Sequence, residues 1–508
     1  MFHSDLLLRR YSCTLGKSDH QKEDSKMLLL LTTICGAAAA APGGLLPPGA
    51  RLRDLAAART PPLLFGTDLV DSAPYPATGD PAACVGGNRS APGCQPNASY
   101  AAIASQEFSA GNADFCLVWS SSQPTPAQRY DFTCAARIFV FMKKHKMAYA
   151  HVNAVMQAHN VAVWSPCCNP SWLTDGYPYS AWSRRNYTYN YTRAQARGFL
   201  QKRIAAVVPR WISSADIKAI IPINEAIANQ PYTERGGWPH TWITGAEENM
   251  FSWAFGNSTH NSTAWFGQTF KWVRAAADGA GASKLKLFYN DYGIETPGAK
   301  QDAVLRLLTE QKAAGVPIDG IGFQSHLPCD CAGVAGCNSS AVIAASMRRF
   351  VKAGFKVAVT ELDVKTAPGC TPAMQAAVYG AVLKACLSVS PHCEAFMVWG
   401  FTDHIWSPTQ WLAGKKPAIF DGDYHAKESY FTLQKILAAK TDDVAVPVVT
   451  LGTSLATEPE SGGGVVLVDL RDLARAAAAC GVGTYGSGGS CANCTTGRTT
   501  PGMIYGGA

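Results

Sequence analysis

The chain has 508 residues, enough for one large domain with appendages or for two to three ordinary domains. Hydrophobic residues make up 47% and charged residues 16%, and this balance excludes global disorder. The net charge is +7, but the basic residues are scattered along the chain, so no nucleic-acid partner is expected. The 13 Trp suit stacking against flat sugar rings, although core packing also uses Trp.

Cysteines and glycosylation sequons together indicate a secretory route. The chain carries 17 Cys in close clusters and eight N-x-[ST] sequons. Both features are typical of oxidising, glycosylating compartments, so we expect a secreted glycoprotein with disulfides. Zinc binding is the alternative for close cysteines, but the spacings lack the paired zinc-ligand pattern. We expect Cys84 and Cys94 to staple a Pro/Gly-rich surface loop between residues 71 and 98.

Both ends of the chain differ in composition from its middle. Residues 1–41 read as a signal-peptide region whose apolar stretch starts at Met27, which is itself an alternative start. Residues 42–62 read as a Pro/Gly/Ala-rich linker, and residues 441–508 as a tail, a linker or disordered segment. No other apolar run reaches membrane length, so no stable membrane span is expected.

Between these ends, short apolar runs alternate with helical patterns. The predicted strands, in chain order, are 63–70, 115–119, 161–164, 219–225, 285–292, 318–327, 357–364 and 395–403. The predicted helices are 100–108, 134–145, 192–208, 265–277, 302–314, 340–353, 372–388 and 429–439. Eight strands alternating with helices predict an α/β fold, a (β/α)₈ TIM barrel over residues 63–440.

Two of the predicted strands carry a glutamate at the end where such barrels do their chemistry. The run Ala219–Glu225 ends in Asn-Glu, and the run Val357–Val364 carries Glu361. Cleaving a glycosidic bond with retention requires two carboxyls roughly 5–5.5 Å apart, one a nucleophile and one an acid/base. The pair therefore predicts a glycosidase, although a structural salt bridge is the alternative for either glutamate alone.

Other strand-end residues are candidates for the same site. They are Asn224, Gln324, His326, Trp399 and Trp406 for sugar contacts, with Asn290, Asp291 and Asp403 as supporting groups. We expect His326 to hydrogen-bond Glu361 and hold it ionised, with Asp403 as a candidate to orient His326. Taken singly, each has an ordinary structural alternative: a satisfied histidine, a core tryptophan or an aspartate that caps a turn.

The motifs from the fourth strand onward resemble glycoside hydrolase family 10, the endo-β-1,4-xylanase family. They are Ile223-Asn-Glu225, Tyr289-Asn-Asp-Tyr292, Phe323-Gln-Ser-His-Leu327, Thr360-Glu-Leu-Asp363 and Trp399-Gly-Phe-Thr-Asp403. The resemblance implies Glu361 as nucleophile, Glu225 as acid/base, and sugar contacts by Asn224, Gln324, His326, Trp399 and Trp406. It also implies a disulfide between Cys386 and Cys393.

The front half departs from this family's pattern. The strand-two motif retains only Trp119, and the strand-three motif is read as His159 to Trp164, with Ser165 in place of a second His. Trp119, His159 and Trp164 are nevertheless expected to contact the substrate. Lost polar groups weaken discrimination between sugars, so the xylan preference is less specific than the catalytic pair.

Three functions therefore remain open. The first is a secreted, retaining endo-β-1,4-xylanase acting on xylan, expected to be a monomer that needs no cofactor or metal. The second is a (β/α)₈ glycosidase acting on β-glucan. The third is a catalytically weak carbohydrate-binding wall protein.

Overall fold

The computed structural model describes the middle of the chain in several stretches. The described residues are 46–70, 98–123, 125, 129–152, 154–157, 170, 172–173, 191–212, 217–227, 250–255, 263–329, 339–403, 412, 414–439, 484–487 and 490–493.

Parallel strands form a closed ring. The strands are β1 (Leu64–Asp68), β2 (Ala110–Asn112), β3 (Ala148–Val152), β4 (Met156–Gln157), β5 (Ile217–Asn224), β6 (Lys286–Asp291), β7 (Gly320–Phe323), β8 (His326–Pro328), β9 (Lys356–Lys365) and β10 (Cys393–Val398). The order β1, β2, β3, β5, β6, β7, β9, β10 closes because β10 pairs with both β9 and β1, and β4 and β8 pair with β5 and β9. The fold is therefore the (β/α)₈ barrel that the sequence predicted.

Helices alternate with these strands. They are α1 (Leu52–Ala57), α2 (Ala98–Glu107), α3 (Asp114–Leu117), α4 (Trp119–Ser122), α5 (Thr133–Lys144), α6 (Arg193–Ile212), α7 (Met250–Phe255), α8 (Ala264–Gly279), α9 (Ala299–Ala313), α10 (Ser340–Lys352), α11 (Pro372–Ser388) and α12 (Glu428–Ala438). Local chemistry sets some starts: Thr371 caps α11 by accepting a hydrogen bond from the Met374 N–H, and Pro372 occupies the first turn. None of the described helices combines the length and apolarity needed to cross a bilayer.

Small side chains fill the inside of the ring. The interior cluster consists of Ala110, Ala148, Ala150, Ala154, Ala219, Ile221, Phe288, Ala358, Ala395 and Met397. Glycines make room for the larger members: a Cβ on Gly320 would lie 2.5 Å from the Phe288 ring. The floor of the barrel is thus packed, and polar side chains collect at the carboxyl ends of the strands.

The second and third strands lie elsewhere than predicted. The apolar run Phe115–Trp119 falls in α3 and α4, whereas β2 is the weakly strand-forming Ala110–Asn112. The third strand is β3 at Ala148–Val152, not residues 161–164, which lie outside the described residues. Both true strands face the crowded interior with alanines, so their sequences lack the β-branched signal that marks the later strands.

The segment predicted as a linker is partly structured. Leu52 and Ala56 of α1 are buried. The buried Glu107 carboxylate accepts hydrogen bonds from the Arg51 guanidinium at 2.8 Å, the Leu52 N–H at 3.0 Å and the Tyr430 hydroxyl at 3.0 Å. One carboxylate thereby ties α1 to α2 and α12, so the interpretation of residues 42–62 as a linker is wrong for this helix.

A short hairpin is described within the predicted tail. Strands β11 (Thr484–Ser487) and β12 (Ser490–Asn493) pair antiparallel. The segment therefore contains at least one regular element, in contrast to the linker or disorder expected for residues 441–508.

Disulfides join described cysteines at three places. Cys386 bonds Cys393, as the family resemblance implied. The other two bonds, Cys116–Cys134 and Cys329–Cys370, span 18 and 41 residues, so clustering in the sequence did not indicate them. Cys84 and Cys94, the expected loop staple, lie outside the described residues.

Candidate active site

Glu225 follows β5 at the carboxyl end of the barrel and is only 6% exposed. Its Oε2 accepts a hydrogen bond from Gln157 Nε2 at 2.7 Å. Its Oε1 accepts from Gln324 Nε2 at 2.8 Å and from Asn224 Nδ2 at 3.1 Å. All three donors are neutral amides, so among the residues that the structure describes this carboxyl has no direct cation partner.

Glu361 lies within β9 and is 3% exposed. Its Oε1 accepts from Asn290 Nδ2 at 2.7 Å, and its Oε2 lies 3.1 Å from His326 Nε2. Glu361, unlike Glu225, therefore has an ionisable, basic side chain within hydrogen-bonding distance.

Two asparagines join the carboxyls into one network. Asn290 Nδ2 donates to Asn224 Oδ1 at 2.8 Å as well as to Glu361, and Asn290 Oδ1 accepts from the Thr360 hydroxyl at 2.7 Å. Asn224 Nδ2 in turn donates to Glu225. The predicted residues Asn224, Asn290, Glu225 and Glu361 are therefore linked by one chain of hydrogen bonds at one end of the barrel.

The pKa of Glu225 is raised to about 7, chiefly because the carboxyl is buried. The hydrogen bond from Gln324 opposes this, and the charges of Asp291 and Glu361 add to it. A carboxyl with this pKa is protonated in mildly acidic solution, as a general acid must be before it acts.

A buried ion pair acts electrostatically on Glu225. Asp291 and Lys300 are 2.8 Å apart, with side chains 0% and 6% exposed. Asp291 also accepts from the Tyr289 hydroxyl at 2.5 Å, and that hydroxyl accepts from the Ala226 N–H at 2.7 Å. Asp291, predicted as a supporting residue, thus connects to the backbone beside Glu225 through Tyr289.

His326 is held between two carboxylates. Its Nδ1 lies 2.5 Å from Asp363 Oδ2, and its Nε2 lies 3.1 Å from Glu361 Oε2. Burial works to lower the pKa of His326, but Asp363 and Glu361 together raise it to about 9. The ring is therefore protonated at neutral pH and places a positive charge beside Glu361.

The expectation that Asp403 orients His326 is wrong. Asp403 Oδ2 pairs with Lys427 at 3.2 Å, and its Oδ1 accepts from the Ala418 N–H at 2.8 Å. Asp363, two residues after Glu361 on the same strand, occupies the orienting position. Asp403 instead fixes the chain that follows β10.

Two non-glycine residues of the site have left-handed backbone conformations. Glu225 has φ 56° and Ser325 has φ 62°. Such conformations cost free energy and tend to occur where function requires them. The Ser325 N–H donates to the buried Glu295 carboxylate at 2.8 Å, which secures the turn between Gln324 and His326.

The tryptophans predicted to contact sugar differ in their positions. Trp399 is half-buried and its ring lies edge-on to His326, with centroids 5.9 Å apart. Trp119 is 2% exposed and packs against Phe251 and Arg203, and its contact with substrate stays a prediction. Trp406, His159 and Trp164 lie outside the described residues.

Several residues of the site were not found from the sequence. Gln157 and Lys300 lie in no recognisable motif, and Tyr289 opens the motif Tyr289–Tyr292 without an assigned role. Only their contacts with Glu225 and Asp291 reveal them. Asp363 was detectable in principle, because its spacing of two from Glu361 places both on one stretch of β9.

One group of described residues has the spacing of a metal site. Ligand atoms of Asp421, Asp423 and His425 lie within 4.8 Å of one another, in a mostly exposed turn. Asp421 Oδ1 accepts from the backbone N–H of Asp423 at 2.9 Å and of His425 at 2.8 Å, and these bonds account for the cluster as a turn.

Comparison with known proteins finds a matching family and related sequences. The family model "Glycosyl hydrolase family 10" matches residues 80–436. Endo-1,4-beta-xylanase 5 of Pyricularia oryzae is 34% identical over 219 residues, 42% of this chain and 52% of the relative. Endo-1,4-beta-xylanase B of Thermotoga neapolitana is 26% identical over 346 residues, 67% of this chain and 84% of the relative.

Solved structures share the fold. Xylanase 10B from Thermotoga maritima has a TM-score of 0.58 and 23% identity, and covers 78% of this chain and 100% of its own. Xylanase 10B from Thermotoga petrophila, solved with xylobiose, has a TM-score of 0.58 and 22% identity, and covers 79% of this chain and 100% of its own. The chain spans 52% to 66% of the length of the first curated relatives.

Proposed function

Because this chain belongs to glycosyl hydrolase family 10, we propose that it is a secreted endo-β-1,4-xylanase that cleaves xylan with retention. The observation that carries the proposal is the contrast between two linked carboxyls. Glu225 has a pKa raised to about 7, mainly by burial, whereas Glu361 lies against a protonated His326. Environments that differ in this way divide acid and nucleophile roles between two carboxyls.

In the first step, Glu361 attacks the anomeric carbon while Glu225 gives its proton to the glycosidic oxygen. The C–O bond breaks, its electron pair stays on the leaving oxygen, and a glycosyl ester forms on Glu361. In the second step, the ionised Glu225 takes a proton from water. The water oxygen attacks the anomeric carbon, and Glu361 leaves as a carboxylate.

Neighbouring residues hold these two groups in place. Asn224 and Asn290 fix both carboxyls by amide hydrogen bonds, and Asp363 holds the His326 ring against Glu361. Trp399, half-buried beside His326, is positioned to form an apolar wall for a sugar ring. The named xylanase relatives support xylan as the substrate.

The test uses product analysis on xylan with purified protein and two variants. Proton NMR of early products shows a β-anomeric reducing end if the enzyme retains configuration. Glu361→Ala loses turnover and regains it with azide as an α-glycosyl azide, and Glu225→Ala gives a β-glycosyl azide from a substrate with a good leaving group. Full activity in either variant, or an α-anomeric first product, contradicts the proposed roles.

A second candidate, β-glucan cleavage, is favoured by the altered second strand. After β2 the chain enters α3, which contains Phe115, Cys116 and Leu117, with Cys116 in a disulfide to Cys134. This helix replaces the polar strand-two motif of the family, whose loss weakens discrimination between xylose and glucose units. Assays on xylan, β-glucan and mannan side by side decide between the candidates, and glycan binding without release of reducing sugar contradicts both.

A further inference from the structure

Gln157 stands out among the residues that contact Glu225. It ends β4, is 8% exposed, and pairs in register with Asn224 of β5. Its strand is anchored from both sides, because the Val155 N–H donates to the Ile221 carbonyl at 3.0 Å and Arg203 Nε donates to the Val155 carbonyl at 3.2 Å. The side-chain amide of Gln157 is thus presented to Glu225 by a fixed backbone.

The hydrogen-bond network sets the orientation of this amide. A carboxylate only accepts hydrogen bonds, so Glu361 requires the Nδ2 side of Asn290. Asn290 Nδ2 also faces Asn224 Oδ1, which leaves Asn224 Nδ2 to donate to Gln157 Oε1 at 2.8 Å. Gln157 must then direct its Nε2 at Glu225 Oε2, 2.7 Å away.

The two oxygens of Glu225 are consequently unequal. Oε1 accepts two donors, from Gln324 and Asn224, which fill its two lone pairs. Among the described residues, Oε2 accepts one donor, from Gln157, and keeps one lone pair for a proton. A proton on Oε1 would require one of the hydrogen bonds from Gln324 or Asn224 to break. A proton on Oε2 requires no hydrogen bond to break.

We propose that Gln157 is a positioning residue that makes Oε2 the proton-carrying oxygen of Glu225 and stabilises the ionised carboxylate between the two steps. The inference rests on the proposed function of Glu225 as acid/base. In the first step the proton leaves Oε2 for the glycosidic oxygen. In the second step Oε2, still held by the Gln157 N–H, takes the proton of the attacking water.

Removing the Gln157 donor should shift the pKa of Glu225 in a predictable direction. Gln157→Met keeps the length of the side chain but donates nothing, so the ionised form of Glu225 loses a hydrogen bond and its pKa rises. Losing a hydrogen bond to the charged form of a buried carboxyl raises its pKa by roughly one unit or more. The basic limb of the kcat/KM profile should therefore move up by about one pH unit.

The experiment measures pH profiles on aryl β-xylobiosides with good and poor leaving groups. For Gln157→Met we expect the upward shift of the basic limb and a loss of kcat/KM at least tenfold greater for the poor leaving group, which needs the proton most. The matched control is Gln311→Met, since Gln311 donates to Thr263 on another face of the fold. That variant should keep the wild-type profile.

A second variant covers the case in which Gln157→Met does not fold. Gln157→Glu is nearly isosteric and brings a second carboxyl against Oε2, so it should move the basic limb up further. An unmoved limb with equal losses for both leaving groups, in whichever variant folds, overturns the inference. Failure of Glu225→Ala to form the β-glycosyl azide would instead overturn the proposed function, so the two failures are distinguishable.

Discussion

Gly322 of β7 offers a sharp test of the asparagine link between the carboxyls. A Cβ on Gly322 would lie 2.7 Å from Thr360 Cγ2 and closer still to Asn290 Oδ1. Ordinary contact begins at 3.4 Å, so Thr360 would have to give way by about 0.7 Å and Asn290 by more. The substitution Gly322→Ala therefore displaces the amide that contacts both Glu361 and Asn224.

The expected effect is on catalysis more than on folding. Asn290 Nδ2 holds Glu361 at 2.7 Å and Asn224 at 2.8 Å, so a shift of this size lengthens both hydrogen bonds beyond their useful range. A misplacement near 1 Å in an active site costs on the order of 100-fold in rate. We expect kcat to fall by roughly that factor.

Gly320→Ala is the matched control. Its Cβ would meet the Phe288 ring at 2.5 Å and the Lys356 carbonyl at 2.7 Å, a comparable clash in the packed floor of the barrel. Both variants should lower the thermal midpoint, but only Gly322→Ala should lose most of its kcat relative to its folded fraction. Equal specific activity in the two folded variants would refute the role given to Asn290.

Two further predictions concern buried charges. Lys300→Met leaves Asp291 buried without its ion-pair partner and should lower the free energy of unfolding, measured with denaturant, by about 3 kcal/mol or more. The control is Lys286→Met, at a pair whose lysine side chain is 41% exposed, and it should lower that free energy by less than about 1 kcal/mol. Equal losses in the two variants would contradict the importance of burial. Folding raises the pKa of His326 from 6.5 to about 9, because Asp363 and Glu361 outweigh the opposing effect of burial. Its contribution of about 3 kcal/mol should be present in full below pH 6.5 and lost as the pH rises through 9. Asp363→Asn should flatten this dependence, and parallel curves for the two proteins would contradict the assignment.

The later strands could be predicted from the sequence because the same residue pattern indicates both a buried strand and a functional residue at its end. In β5 and β9, apolar β-branched runs supply the buried strand, and the polar residue at or near each strand end marks the site. Glu225 and Glu361 were therefore found together with their strands. The early strands gave no such signal, since β2 is Ala-Gly-Asn and its short side chains are imposed by the crowded interior.

Partners that depend on tertiary structure were the least predictable. Asp403 and Asp363 are both associated with strands. Only the fold shows that Asp403 pairs with Lys427 and that Asp363 pairs with His326. Trp119 matched a motif position but lies in the core, because the apolar run containing it became a helix rather than a strand. Gln157 belongs to no motif that distinguishes it from other glutamines in the sequence. Its contact with Glu225 becomes evident only from the pairing of β4 with β5.

The central claim is that Glu361 is the residue that bonds to the sugar. Incubation with a 2-deoxy-2-fluoro xylobioside carrying a good leaving group should slow the second step and accumulate the glycosyl-enzyme. Peptide mass spectrometry should then find the added sugar mass on the peptide that contains Glu361, with no label in Glu361→Gln. A label on another carboxylate, or rapid turnover with no covalent species, would contradict the account.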